Sequence, residues 1–247
     1  MSRLIRTELL KLRATRSFLV ALAGTPVISV LVVLAVYGTA GHQGNDPLGP
    51  ESLVQVLGAP ASIVTTLAML LGIVGLAGEY RHKTITTTLL ATPRRGRVVA
   101  AKVAAHAVAG GVIGAITLAT TAAVAVPWLL QADVAVRFGA DGARVAAGLV
   151  LSTALHGALG VAIGSLLRNQ TVAVAVAFAW LMRVEGSVAS LFRSETLGDW
   201  LPFATGRAIV SAGPGARSLW AAAAVLTVYV VALATAGTRL VVDRDIT

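Results

Sequence analysis

Long, uninterrupted apolar runs are the dominant pattern along this chain. Six of them reach about 20 residues, the length that an α-helix needs to cross the hydrocarbon core of a bilayer. Residues 27–36 are apolar on every face, whereas a membrane β-strand alternates over about ten residues. We therefore predict an all-α integral membrane protein with six candidate spans, at roughly residues 18–38, 58–78, 98–126, 144–167, 171–191 and 219–242.

Residues 1–17 form a basic leader that precedes the first run. Ile5, Leu9 and Leu12 recur at helical spacing, and most of the basic residues fall on other faces. This pattern predicts an interfacial helix on an anionic membrane surface, although a plain topology signal would also explain the charges. The first run is longer than the roughly 7–15 apolar residues of a signal peptide, so we do not expect cleavage.

The basic residues also predict an orientation. Five lie in the leader and six more lie between Arg81 and Lys102, whereas residues 39–57 contain none. If the amino terminus is cytoplasmic, the inner segments hold fourteen of the 20 basic residues. Because positive charge accumulates on the cytoplasmic side of membrane proteins, we predict that both termini lie inside.

Composition supports a chain whose main solvent is lipid. Hydrophobic residues make up 56% and charged residues 13%, against about 25% charged in soluble domains. The net charge of +9 could suggest nucleic acid, but the basic residues flank apolar runs without an aromatic stacking set, so we expect no nucleic-acid partner. Cysteine is absent, which excludes disulfides and thiolate metal sites.

Reaction chemistry is nearly missing from the sequence. No lysine follows glycine as a Walker A phosphate loop requires, so we expect no nucleotide site on this chain. His106 and His156 have no carboxylate or second histidine at helical spacing and are interpreted as packing residues. Ser152 and His156 are four residues apart, yet no acid orients the imidazole, which disfavours a triad. We expect no catalytic, cofactor or metal site.

Small residues recur at spacings that allow close helix packing. Gly110 and Gly114 form one G-x-x-x-G pair, Gly160 and Gly164 form another, and glycine recurs at positions 72, 75 and 78. We interpret these faces as internal packing of a helical bundle.

The segment that joins the second and third runs is short and charged. It reads Glu79-Tyr80-Arg81-His82-Lys83-Thr84-Ile85-Thr86-Thr87-Thr88-Leu89-Leu90-Ala91-Thr92-Pro93-Arg94-Arg95-Gly96-Arg97, followed by Lys102. Together with six spans, a basic leader, Arg168-Asn169-Gln170, Trp200-Leu201-Pro202-Phe203 and a terminal Arg244-Asp245, it resembles the permease subunit of type-two ABC exporters. Lys83 departs from the resemblance, since glycine is common there, and Thr86–Thr88 are poor helix formers.

The resemblance implies a set of roles. Residues 79–97 would be a cytoplasmic coupling loop that docks on a separate ATPase chain, which carries ATP and Mg²⁺, and residues 1–17 would be an elbow helix. A second permease subunit would complete a dimer in the cell membrane, and residues 192–216 would form an outer re-entrant or interfacial segment. The ATPase-coupling residues would be Glu79, Arg81, Thr84, Ile85, Leu89, Pro93, Arg94 and Arg95, although the arginines could merely anchor the topology.

Arg183 and Glu185 interrupt the fifth run. A charge near the bilayer centre costs at least ~2.5 kcal/mol, so both side chains should face protein or water. Two residues apart on a helix means opposite faces, so we expect a separate partner for each, or a break in the helix that takes both to the outer interface.

These features favour an exporter permease with an unidentified substrate. A proton-coupled secondary transporter would use Glu185, His106 or His156 as relay groups, but no inverted repeat is evident. A membrane-embedded enzyme or scaffold is the third alternative.

Overall fold

The computed structural model describes residues 1–42, 47–82, 84, 95–191, 198–213 and 215–243, and this part of the chain contains helices and no strand. The helices, numbered here in chain order, are α1 (Ser2–Ala14), α2 (Arg16–Gly38), α3 (Ser52–Gly58), α4 (Ala61–Arg81), α5 (Arg95–Gln131), α6 (Gly139–Leu167), α7 (Gln170–Ala179), α8 (Glu185–Leu191), α9 (Pro202–Val210) and α10 (Leu219–Asp243).

In the part of the chain that the structure describes, six helical segments are long and apolar enough to cross a membrane, and they confirm the predicted all-α membrane fold. They are Arg16–Gly38, Ser52–Arg81, Gly96–Gln131, Gly139–Leu167, Gln170–Val188 and Leu219–Arg239. The second span combines α3 and α4 and starts six residues before the predicted 58–78 run. The fifth span continues from α7 through a π-helical turn, Trp180–Val184, into α8.

Helix α6 lies at the centre of the bundle and packs against α4, α5 and α10. In its most apolar stretch 61% of residues are buried, against 17% in the fifth span. The first and sixth spans are also mostly exposed, and their outer faces carry large apolar side chains such as Leu31 and Val228. An apolar exterior around a tightly packed centre is what a bilayer requires of a helical bundle.

Glycine allows the central helices to touch backbone to backbone. A Cβ on Gly160 would collide with the carbonyl oxygen of Met69 in α4, and one on Gly72 would collide with that of Gly157 in α6. On the other side of α6, a Cβ on Gly110 would collide with the carbonyl oxygen of Thr153. The glycine faces identified in the sequence therefore join α4, α5 and α6, as internal packing predicts.

The Arg168-Asn169-Gln170 motif forms the corner between the fourth and fifth spans. Arg168 has a positive φ of 52° and ends α6 in the left-handed conformation. The Asn169 side chain then accepts a hydrogen bond from the backbone N–H of Val172, at 3.1 Å, and caps α7. The left-handed conformation of Arg168 ends α6, and the cap of Asn169 starts α7, so the chain turns at this motif.

Candidate functional site

The structure describes the two ends of the predicted coupling loop. Glu79 and Arg81 lie in the last turn of α4, Thr84 follows that helix, and Arg95 is the first residue of α5. The Arg95 side chain lies outside the described part of the structure, as do the residues Ile85, Leu89, Pro93 and Arg94.

A buried lysine joins the start of α5 to two other helices. Lys102 Nζ lies 2.6 Å from Glu8 Oε2 in α1 and 2.7 Å from Glu79 Oε1 in α4. The lysine side chain is 2% exposed, and those of Glu8 and Glu79 are 8% and 14% exposed. Because a buried charge is tolerated only when it is paired, these contacts fix the three helix ends relative to one another.

Lys11 completes the arrangement from the solvent side. Its ammonium group lies 2.8 Å from Glu8 Oε1 and 3.4 Å from Glu79 Oε1, and its side chain is 43% exposed. Glu8, Lys11, Glu79 and Lys102 thus form a charge cluster with two positive and two negative groups, so its net charge is zero.

The cluster changes the acidity of its members in α1. Burial raises the pKa of Glu8, but the ammonium groups of Lys102 and Lys11 outweigh burial and hold that pKa below its ordinary value. Burial also lowers the pKa of Lys11, but Glu8 and Glu79 outweigh it, so that pKa lies above its ordinary value. Both groups therefore remain charged at neutral pH.

An open cavity of about 590 Å³ lies beside the charge cluster, between α1, α4 and α5. His106 lines it, one turn beyond Lys102, and its Nδ1 donates to the Lys102 carbonyl oxygen at 2.9 Å. The other ring nitrogen, Nε2, occupies the space that a Cβ on Gly75 would need. Neither this nitrogen nor Glu79 Oε2 has a hydrogen-bond partner among the described residues. His106 is thus a packing residue, and its ring leaves room only for a glycine at position 75 of α4.

The sequence prediction counted Lys102 among the basic residues of the inner segments and after the 79–97 motif, and it gave Glu8 no role. The structure shows that Lys102 is buried in an ion pair with Glu8, a contact that the sequence did not predict. Two signals were available in the sequence. Lys102 stands alone inside an apolar run, and Glu8 is the only acid in a basic leader.

The leader is helical, and its apolar residues lie on the side that faces the bundle. Leu12 is buried, Leu9 packs against the same core, and Ile5 is partly buried. Leu10, on the basic side, is 57% exposed. The amphipathic pattern thus describes how α1 packs on the protein, and contact of its outer side with lipid stays a prediction.

Glu185 begins α8 and accepts hydrogen bonds from the start of another helix. Its carboxylate lies 3.2 Å from the backbone nitrogen of Phe203 and 2.5 Å from that of Ala204, in the first turn of α9. Trp180 Nε1 donates to it at 3.2 Å, and Arg207 lies 3.6 Å away. This buried carboxylate therefore satisfies the N-terminal N–H groups of α9 and complements its dipole.

Arg183 does not share this environment. Its side chain is exposed and has no ion pair with a described residue, although Glu185 is only two positions away. The expectation that each charge is buried against its own partner is therefore wrong for Arg183 within this chain. A π-helical turn ends at Val184, and the helix continues through it into α8. The alternative of a break that takes both charges to the outer interface is therefore not observed, because Glu185 is buried.

Ser152 and His156 also adopt structural roles. His156 Nδ1 donates to the Ser152 carbonyl oxygen at 2.8 Å, and the ring packs against Phe203. Ser152 Oγ donates to the Gly206 carbonyl oxygen at 3.1 Å. These contacts tie α6 to α9, and no acidic side chain among the described residues bonds to either one. Among the described residues, no group of three or more His, Asp or Glu side chains could hold a metal ion.

Six candidate spans among the described residues, a leader helix packed on them and a charge cluster at the base of a short loop define a helical membrane protein. Comparison with protein families places it further: residues 4–185 match the family described as ABC-2 family transporter protein. The chain belongs to this family, and it is an ABC transporter permease, the membrane subunit of a transport system. No curated protein shows significant similarity to the chain.

Proposed function

We propose that the chain is the permease subunit of an exporter driven by ATP hydrolysis on a separate ATPase chain. The observation that carries this proposal is the Lys102 ion pair, which links both ends of the 79–97 loop to α1. A partner that pushes on this loop would move α4 and α5 together, because their ends are held by one buried ammonium group. The force would then reach α6 through the glycine contacts.

Within this proposal, the ATPase docks on Glu79, Arg81, Thr84, Ile85, Leu89, Pro93, Arg94 and Arg95. ATP and Mg²⁺ reside on that partner, a second permease subunit completes the transport path, and the assembly lies in the cell membrane. A proton-coupled carrier would use Glu185, His106 or His156 as relay groups, and each of the three forms a hydrogen bond with the backbone. Those contacts favour the ATP-driven proposal over the secondary transporter.

Affinity purification of the tagged chain in mild detergent tests the coupling. We expect an ATPase with a Walker A loop to co-purify, and the double substitution Ile85→Asp with Leu89→Asp to lower its recovery at least about 10-fold, because charge enters an apolar contact. Ala132→Asp with Ala135→Asp is the matched control, since both residues are exposed in the connection that follows the far end of α5. Equal recovery from the two double variants, or ATP hydrolysis by the purified permease alone, would contradict the proposal.

We also propose that both termini lie in the cytoplasm. The absence of cysteine allows single cysteines to be placed without background labelling. A cysteine at Ala135 should react with an impermeant maleimide on intact cells, whereas one at Ser2 should react only after permeabilisation. The reverse pattern would invert the orientation.

A further inference from the structure

A groove on the outside of the bundle is lined by two antiparallel helices. On α5 its lining follows one helical face, with Gly96, Val99, Ala100, Val103 and Ala104. On α10 the lining runs from Val230 to Arg239, and the volume of this α5–α10 groove is about 510 Å³. It is open along its length, and it is separate from the charge cluster on the other side of α5.

The groove has the depth of one membrane leaflet. Gly96 and Ala104 are eight residues apart, and Val230 and Arg239 are nine apart, so at ~1.5 Å per residue the lining extends about 12–14 Å. Half of a hydrocarbon core of about 30 Å is about 15 Å. A single hydrocarbon chain parallel to the helices would therefore fill the groove from one end to the other.

The floor of the groove offers little to a polar ligand. Thr235 and Thr238 line it, but their hydroxyls donate to carbonyl oxygens one turn earlier in α10, those of Val231 and Ala234. The remaining lining residues above Arg239 are alanine, valine and glycine. An apolar chain is the complementary occupant.

Positive charge is concentrated at one end of the groove. Arg239 lines that end, and Arg97 lies on the same side of α5 as Ala104, two turns away. Both side chains are exposed, and neither forms an ion pair with a described acidic side chain. Glu8 and Glu79, on the other side of α5, are already bound by Lys11 and Lys102. Asp243 lies one turn after Arg239 in α10, and its side chain is outside the described part of the structure.

We propose that the α5–α10 groove binds one anionic phospholipid, with the phosphate between Arg97 and Arg239 and one acyl chain along the groove. The charge argues against a second copy as the occupant, because its own arginines would then approach these two. Since Gly96 and Arg97 follow the 79–95 segment directly, the bound lipid would steady the start of α5. This inference does not depend on export or on an ATPase.

Native mass spectrometry of the delipidated, purified chain tests the site with two probes, phosphatidylglycerol and phosphatidylcholine of the same acyl chains. We expect one phosphatidylglycerol adduct at concentrations that leave phosphatidylcholine unbound. Arg97→Gln with Arg239→Gln should weaken that adduct about 30-fold, because each arginine near the headgroup contributes on the order of 1 kcal/mol and about 1.4 kcal/mol is tenfold. Arg97→Lys with Arg239→Lys should preserve it.

Two further variants make the outcome decisive. Arg3→Gln with Arg6→Gln removes the same charge from exposed positions of α1 and should leave the adduct unchanged. Ala100→Phe fills the groove at an exposed position and should remove the adduct with both arginines intact. The proposal would be overturned if the two lipids bound equally, if the α1 control lost the adduct to the same extent, or if Ala100→Phe left the adduct unaffected. It would also be overturned if the chain were a dimer that Ala100→Phe converted to a monomer, because the groove would then be a contact between two copies.

Discussion

Two regions of this permease bury carboxylates, and they neutralise them differently. Near the 79–97 loop, Glu8 and Glu79 are held by the ammonium groups of Lys102 and Lys11, which come from two helices. In the fifth span, Glu185 is held mainly by backbone N–H groups at the start of α9, with Arg207 at 3.6 Å and 61% exposed. One region matches charge with charge, and the other matches a charge with a helix dipole.

The difference predicts unequal tolerance to substitution. A full charge that loses its partner stays buried and unpaired, which is strongly destabilising. A carboxylate that accepts from backbone N–H groups can be replaced by a neutral acceptor, because the amide oxygen of glutamine still bonds them. The charge cluster should therefore depend on charge, and the α8–α9 corner should depend on hydrogen bonding.

The largest effect is expected from Lys102→Met. It leaves Glu8 and Glu79 buried with only Lys11, so we expect the free energy of unfolding to fall by about 3–5 kcal/mol. Denaturation of the detergent-solubilised chain with increasing SDS, followed by circular dichroism, measures this. Lys11→Met is the control, and it should cost less than about 1 kcal/mol because Lys11 is 43% exposed.

A triple variant separates charge from packing at the same site. Glu8→Gln, Glu79→Gln and Lys102→Met together remove the buried charges, and most of the lost stability should return. If the triple variant were as unstable as Lys102→Met, the aliphatic stem of Lys102 would be the important part and the comparison would fail.

An intermediate effect is expected at Glu185. Glu185→Ala leaves the N–H groups of Phe203 and Ala204 unsatisfied and should cost about 1–3 kcal/mol, whereas Glu185→Gln should cost less than about 1 kcal/mol. The same SDS titration compares the two variants. Equal losses would mean that the negative charge itself, through Arg207, stabilises this corner.

The smallest effect is expected from Arg183→Ala. Its exposed side chain has no described partner within the chain, so the free energy of unfolding of the isolated permease should change by no more than about 0.5 kcal/mol. Unfolding of this variant beside Glu185→Ala provides the measurement. A loss larger than that of Glu185→Ala would contradict the exposed position of Arg183.

The sequence predicted the helices well because each span is an unbroken apolar run of sufficient length. It also predicted the corner residues Arg168 and Asn169 as part of a motif, although not their left-handed and capping conformations. Local periodicity could have placed only the Lys11–Glu8 pair, which is three residues apart on α1.

The rest of the candidate site depends on tertiary contacts that no local pattern encodes. Glu8 and Lys102 are 94 positions apart and meet only because α1 folds back on α5. The partners of Glu185 are backbone groups of α9, which no side-chain pattern could reveal. The prediction for Arg183 assumed a regular α-helix, but Arg183 lies in a π-helical turn. The sequence therefore did not predict that its side chain is exposed.

The backbone contacts of Gly72, Gly110 and Gly160 have a mechanical consequence. With no side chain between them, α4, α5 and α6 cannot slide or roll over one another without steric overlap. We expect these three helices to move as one rigid body during the transport cycle. The outer helices α2 and α7, which are mostly exposed, could tilt relative to that body at little steric cost.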